Sequence, residues 1–534
     1  MAATADDTAT PPADDAKLAA YWIAQLDAAD KDKDRKRWLD RAKVIVRLYT
    51  EARTQKTTDK RFALFWSNIE VLKPATLARI PVAVVSRRYK DADPVGRQAS
   101  EVLERALNFS SDSYDFASVL FGIRDEFLLL ARGVPWVRYV PHIVTKPGAA
   151  EQSEESDTED NGYEDLDWEE TVCDYVHYSD YFTNTARQEA EVWWKGRRTF
   201  LNRAELIKRL GEELGSKVPL DYGDPDKTDK TETPDTEQKA AIYEIWDKKT
   251  KRRILISRSY PNAPLEVVDD PLKLTHFFPS PKPATGTVGP DSTIPTPDWV
   301  YYQTQLDEID ELTERIGQLI DALKVRGFYS ASDGTDLNSL LSSENNTLIP
   351  VDSWAALGDK GGLKGIIEWM PLDMIAATIK ACIETRKEII SDVYQVTGIS
   401  DIQRGDTDPD ETAAAQKMKA NFGSARVHER RKEMSRLACE ILRIKGEIIA
   451  SRFDWQTLSA MTDITLLSDA EKQQVQQQVQ AFQMAQQAQQ QAQQPPQPEQ
   501  LPQPRGRRED ARADFQAAVR RCDPGRDRGQ HHRA

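Results

Sequence analysis

Residues Val396–Ala415 read VTGISDIQRGDTDPDETAAA, and the parsing of the whole chain turns on them. Gly398 and Gly405 permit backbone angles closed to other residues. Asp408-Pro409 followed by Glu411 is helix-start chemistry, with aspartate and proline at the first turn and a carboxylate just inside it. No residue in the stretch is poised for catalysis. It reads as a polar, acidic loop over 397–410 between two long amphipathic helices, suited to touching a passing object rather than transforming a bound one.

Working upstream, a helix is expected over 372–396, with Leu372, Ile375, Ile379, Cys382, Ile383, Ile389 and Val393 on its apolar face. Before it lies a Gly/Ser/Asn-rich insert over 326–371, with short β-like pieces at Phe328-Tyr329, Thr347–Ile349 and Ile366-Ile367. Before that, Tyr302, Ile309, Leu312, Ile316, Leu319 and Leu323 recur three and four residues apart, predicting a helix over 299–325. At 1.5 Å per residue it is roughly 35–40 Å long. Asp307, Glu308, Asp310, Glu311, Glu314 and Asp321 cover much of its remaining surface. A narrow apolar stripe on so acidic a helix needs a partner to bury it. The two helices cannot cover each other fully, so Ile309, Leu312, Ile316, Leu319, Leu323, Ile375, Ile379 and Ile383 are candidates for packing between subunits.

Downstream, a third helix is expected from Glu411 to about Arg452, within a segment ending near 460. It bears a cationic run, Arg426, His428, Arg430, Arg431, Lys432 and Arg436, readable as a solvated face or as a contact for phosphates or an acidic neighbour. Residues 461–534 form a tail, Gln-rich, then Pro/Gln-rich, then Arg-rich from Arg505. Gln473–Gln494 has helical potential that several copies brought together would realise as a bundle, whereas a single copy, like part of the tail, is expected to be disordered.

The first half differs in character. Helices are expected over Leu18–Glu51, Phe62–Leu77, Gln98–Phe109 and Phe116–Leu130, after a polar, acidic arm at 1–17 expected to be disordered. Strands are expected at Ile80–Val85, Gly133–Val140, Tyr175–Phe182, Ile242–Trp246 and Arg253–Arg258, the last two as a hairpin over Asp247–Lys251. Residues 151–170 hold many carboxylates and no lysine or arginine, a self-repelling loop without EF-hand spacing. Residues 216–238 read as a flexible insertion and 261–298 as a long extended connection. The fold class is therefore α+β.

Composition narrows the function. The 534 residues suffice for more than one compact region, and 39% are hydrophobic. No run of about 18 apolar residues suggests a membrane span. The net charge of −15 speaks against a broad basic face for nucleic acid. Cys173, Cys382, Cys439 and Cys522 are scattered without C-x-x-C pairing, so neither a disulfide framework nor a zinc site is expected. The P-loop, G-x-S-x-G and H-E-x-x-H motifs are all missing. No enzyme activity, metal or cofactor is expected.

A mixed α/β region, a long helix, a small β-containing insert, a returning helix, a loop and a further long helix resemble, in that order, the bacteriophage portal protein of the short-tailed-phage type. Three segments carry the likeness: Asn68–Arg88 (NIEVLKPATLARIPVAVVSRR), Phe121–Val140 (FGIRDEFLLLARGVPWVRYV) and Val393–Val427 (VYQVTGISDIQRGDTDPDETAAAQKMKANFGSARV). Together they are moderately specific, and the likeness spans about 20–460. It implies a homo-oligomeric ring, usually of twelve subunits, at one capsid vertex of a virion. Double-stranded DNA would pass through it without sequence specificity, pumped by a separate terminase large subunit and later released. By matching positions, 18–298 is the wing, 299–325 and 372–396 the stem, 326–371 the clip, 397–410 the channel loop and 411–460 a helix at the base of the crown. Terminase and then a head–tail adaptor would meet the clip, with major capsid and scaffolding proteins as further partners. Gln403, Arg404, Asp406, Asp408 and Asp410 would face DNA. The Gln-rich C-terminal stretch departs from the helical crown or barrel of many relatives. Two other readings stand beside this one: a helical structural adaptor or internal scaffold without a channel, and a metal-dependent nuclease.

Overall fold

The computed structural model describes residues 11–12, 14–51, 61–87, 93–146, 163–222, 238–322, 327–329, 367–369, 372–399, 413–466 and 469–492. The chain divides into two compact units, Met1–Leu466 and Leu467–Ala534. The described part of the second is one helix, Asp469–Ala492, which carries exposed Val475, Val479, Phe482 and Met484. The single chain is thus helical over 473–492, where the sequence carries helical potential but disorder is expected of one copy.

The first unit is mixed helix and sheet. Its opening helices are α1 (Asp15–Lys31), α2 (Lys33–Tyr49), α3 (Leu64–Thr76), α4 (Pro94–Asp112) and α5 (Phe116–Leu130). The single helix expected over Leu18–Glu51 is two. Asp32 leaves helical angles and its carboxylate accepts from the Asp34 and Arg35 amides, capping α2. Asp93 before Pro94 and Asp115 before Phe116 do the same for α4 and α5. The core gathers Trp38, Ile69, Phe116, Leu120, Ile123 and Trp136, all buried.

Helix α5 feeds directly into β1 (Arg132–Lys146) through Ala131, whose φ is +61°. A Cβ on Gly133 would lie 2.5 Å from the Ile123 carbonyl oxygen, so only glycine lets the strand leave so close to the helix. β1 pairs antiparallel with β2 (Tyr163–Val176) along thirteen positions, from Val134↔Val176 to Lys146↔Tyr163. Residues 163–170 of the block expected to be an acidic loop are thus strand. Glu169 is fully buried there, accepting from Tyr139 Oη at 2.6 Å and the Asp454 amide at 2.6 Å. Those donors offset the burial that a carboxylate-rich composition argues against. The rest of the block lies outside the described residues.

A five-stranded antiparallel sheet runs β3 (Tyr181–Thr183), β4 (Trp194–Leu201), β5 (Ala240–Asp247), β6 (Arg252–Ile256), β7 (Glu266–Asp269). The predicted β5–β6 hairpin is present, closing at Asp247↔Arg252. The strand expected over Tyr175–Phe182 is broken by a turn, in which the Asp180 amide bonds the His177 carbonyl and the Tyr178 amide bonds Glu126. Helices α6 (Arg203–Leu210) and α7 (Glu212–Lys217) follow β4. The expected connection over 261–298 contains β7 and the two-residue strands β8 (Ala284–Thr285), β9 (Thr287–Val288) and β10 (Pro295–Thr296). β8 adds to β1.

The two sheets are joined by charge. Arg138 on β1 bonds Asp174 on β2 at 2.9 Å; Asp174 also accepts from Arg197 on β4 at 2.7 Å. Arg197 in turn bonds Glu244 on β5 at 2.8 Å, and Trp246 Nε1 donates to Glu244 at 2.9 Å. Burial alone would raise the Glu244 carboxyl, yet the Arg197 charge and the two donors hold it below its ordinary value.

The helical hairpin predicted in the second half is present. α8 (Gln303–Ala322) runs out to β11 (Gly327–Tyr329), which pairs antiparallel with β12 (Ile367–Trp369), and α9 (Leu372–Thr397) returns against α8. The rest of the insert, with its expected pieces at 347–349 and 366, lies outside the described residues. Burial fades along the hairpin. Ile309, Ile389 and Val393 belong to the main core, Ile316 and Cys382 are buried farther out, and Leu312, Leu319, Ile375, Ile379 and Ile383 are half-buried. Near its far end Ile320 and Met374 are exposed. Leu323 lies outside the described residues. α10 (Ala413–Arg452) is 40 residues long and reaches through the body, burying Met434, Leu437, Ile441 and Ile448. α11 (Trp455–Thr462) packs on α4.

Candidate functional site at the end of the second long helix

α9 ends where the sequence places its decisive loop. Gly398 has φ +71°, and its amide bonds the Tyr394 carbonyl at 2.8 Å, a left-handed helix stop. Ile399 after it is buried among the main core. Arg426 of α10 donates to the Val396 carbonyl, placing a cation on the negative end of α9. The chain is therefore anchored immediately before residue 400. A Cβ on Gly398 would stand 2.9 Å from Arg426 Cδ, in a backbone region that L side chains rarely adopt. Gly398→Ala should cost about 1–2 kcal/mol and weaken the Arg426 contact. Urea denaturation checks it, and an unchanged midpoint would remove Gly398 from the anchor.

Beside this anchor opens a cleft of about 990 Å³ between α3, α5, the 285–302 segment and α10. Ile69, Leu72, Phe127 and Tyr302 give it an apolar floor, and Arg426, Arg430, Lys432 and Arg436 line one wall. Burial pushes the Tyr302 phenol up, so it stays a neutral donor. Arg430 pairs with Asp298. Arg436 bonds Glu433 and Glu440 at 2.8 Å each and the Pro283 carbonyl at 3.0 Å. Burial would raise Glu433, but the Arg436 hydrogen bond and charge hold it below the usual carboxylate range. Arg431 reaches the Ala75 carbonyl in the last turn of α3 at 2.8 Å.

The cationic run read from the sequence is thus largely occupied within the chain. Arg426, Arg430, Arg431 and Arg436 each hold another segment, whereas His428 and Lys432 are exposed. The first and third of these arginines share one device, a guanidinium on the exposed carbonyls of a helix C-terminus, repeated by Arg105 on Thr462 and Arg203 on Gly215. Arginine does this well because its fork spans several carbonyls. Arg426 ties α10 to the end of α9, joining the two helices that flank 400–412. Gln403, Arg404, Asp406, Asp408 and Asp410 lie outside the described residues. Among the described residues no cluster of three or more His, Cys, Asp or Glu side chains could hold a metal ion.

Sequence reading missed the buried polar groups. Glu126 is pushed up to about 8 by burial, against the Tyr175 hydrogen bond and the Arg132 charge. Lys445 is wholly buried, and burial lowers it to about 8. Both stand at helical spacing within otherwise apolar faces, which is the signal they left.

By architecture the chain is an α+β body bearing a long helical hairpin tipped by paired strands, with a clamped cleft at the hairpin's root. Among the described residues no helix is long and apolar enough to cross a membrane. No family model matches the chain, and no curated protein matches it.

Proposed function

We propose that this chain is a portal protein, a subunit of a ring that conducts double-stranded DNA into and out of a virion at one capsid vertex. The observation that carries the reading is the order of parts around the anchor. A mixed body leads into α8, the β11–β12 pair, the returning helix α9 with its glycine stop, and then the 40-residue α10. In that reading α8 and α9 are the stem, the β11–β12 end is the clip that meets terminase and later the head–tail adaptor, and 397–410 borders the bore. A further support is the graded burial of the hairpin. Ile320 and Met374 remain exposed at its outer end, and neighbouring stems in a ring would cover them. The chain's −15 charge suits a conduit, because acidic walls hold phosphates off and few ion pairs must break as DNA slides. No catalytic step belongs to this role.

Native mass measurement and negative-stain imaging of the purified chain test it: the expected result is a ring of about a dozen protomers with an open centre, and a monomer at every concentration and salt overturns it. Within the ring, Asp406→Lys with Asp408→Lys should leave assembly intact and impair DNA packaging or retention. Unchanged packaging would take the loop out of the mechanism. A helical scaffold lacking a channel accounts for the long helices but gives no role to the extensive sheet-bearing body.

A further inference from the structure

Ile80–Val85, where the sequence predicts a strand, forms no ladder with another strand among the described residues. One edge is occupied by side chains of α4. The Asn108 amide bonds both the Ala83 N–H and its carbonyl, at 2.9 and 3.1 Å, and Glu104 accepts from the Val85 amide at 2.8 Å. Alternation is regular: Ala83 is buried, while Val82 and Val84 are 75% and 80% exposed and Ile80 is exposed too. Beside the segment lies an apolar groove of about 750 Å³ floored by Leu103, Leu107, Ala438 and Leu442. An apolar segment of strand-like alternation with an unpaired edge is a template for a further strand.

A matching element exists on the same chain. The β1–β2 register shifts between His142 and Ile143, leaving Asp167 as the bulged residue, and a bulge bends a hairpin. Before the bulge, Trp168 packs on Phe109 of α4. Beyond it Ile143, Val144 and Leu166 are all exposed, with Ile143 at 56%. The charges are complementary. Asp167 at the bulge is exposed and Asp165 lies beyond it, while exposed Arg79 and half-buried Arg87 flank the 80–85 segment, Arg87 also pairing with Asp93.

We propose that the outer half of the β1–β2 hairpin of a second copy docks along residues 78–87, adding its strand to the free edge and setting its apolar side chains into the adjoining groove. The two patches differ, so the contact is head-to-tail, and repetition closes a ring or extends a filament. The inference rests on self-assembly in the proposed function and is independent of DNA conduction.

A photoreactive benzophenone side chain in place of Val84 tests this without assuming a register. Irradiating a mixture of isotope-labelled and unlabelled chains should join two copies, the captured peptide coming from 141–146 or 163–170 of the other copy. No intermolecular product, or one from another segment, overturns the proposal. If rings form regardless, only this contact falls; a monomeric native mass removes the assembly reading as well. Arg79→Glu should raise the half-assembly concentration about tenfold, with Asp167→Lys in the same chain recovering part of the loss. Equal loss in the double variant argues against charge pairing at this surface.

Discussion

Glu244→Ala should destabilise the body by about 3–5 kcal/mol, the range for removing one partner of a buried ion pair. The cause is the charge left behind. Arg197 has its side chain almost wholly buried, stacks over the Trp136 ring, and would keep only Asp174 as an anionic partner. Trp246 Nε1 would lose its acceptor at the same time. Because the chain of contacts runs β1, β2, β4, β5, the damage falls on the joint between the sheets. The double variant Arg197→Met/Glu244→Leu should therefore cost less than Glu244→Ala alone, since no charge is left unpaired. Urea denaturation of the three proteins decides it. A single-variant loss under about 1 kcal/mol would mean that water reaches the site.

The same pair sets an acid limb. The Glu244 and Asp174 carboxyls are both held below their ordinary values of 4.5 and 3.8, with burial opposing and the arginines prevailing. A carboxyl with a depressed folded value contributes stability that is present above its unfolded value and lost as pH falls through the folded one. The wild-type chain should lose stability below about pH 4.5 more steeply than Arg197→Met/Glu244→Leu.

What the sequence made legible follows from where the physics is local. Helix periodicity fixed α5 at Phe116–Leu130 and α9 within one residue of its observed end, because caps and apolar spacing act within a turn or two. Strand pairing is not local. Ile80–Val85 has the composition of a strand and its alternation of burial, yet the partner of Ala83 is an asparagine twenty-five residues on rather than a ladder. Tyr163–Glu170 has the composition of a solvated loop but lies in β2, since β1 and the Tyr139 and Asp454 donors are remote in sequence. β4, WKGRRTFL, escaped notice because burial from Trp194 to Arg197 removes the alternation that marks a half-exposed strand. The N-R-A-E capping box at Asn202–Glu205 is a local signal for the start of α6. At the site, Gly398 as a helix stop was readable from glycine alone. That Arg426, Arg430, Arg431 and Arg436 clamp other segments was not, because their partners at 396, 298, 75 and 283 are supplied by folding.

Replacing Lys445 by methionine should stabilise the protein near neutral pH by about 1–3 kcal/mol. Lys445 is fully buried on α10, its Nζ 3.2 Å from the Ser110 carbonyl near the end of α4 and 3.4 Å from Tyr114 Oη, over the rings of Tyr114 and Phe116. None of these partners is a carboxylate, so the ammonium is desolvated without a counter-charge, and its proton leaves near pH 8 rather than 10.5. Below about pH 8 folding carries the whole cost of burying that charge. Between 8 and 10.5 the unfolded chain binds the extra proton, so stability attributable to this site rises with pH. Methionine fills a similar volume without the charge, though it leaves the Ser110 carbonyl only its bond from the Ser113 hydroxyl. The advantage of Lys445→Met should be full at pH 7 and should shrink as pH approaches 10. Thermal denaturation at pH 7, 8.5 and 9.5 gives the comparison. An advantage constant across that range would show that Lys445 is already neutral at pH 7 or is reached by water, and no advantage at pH 7 would show that its two hydrogen bonds and its place over the rings offset the desolvation.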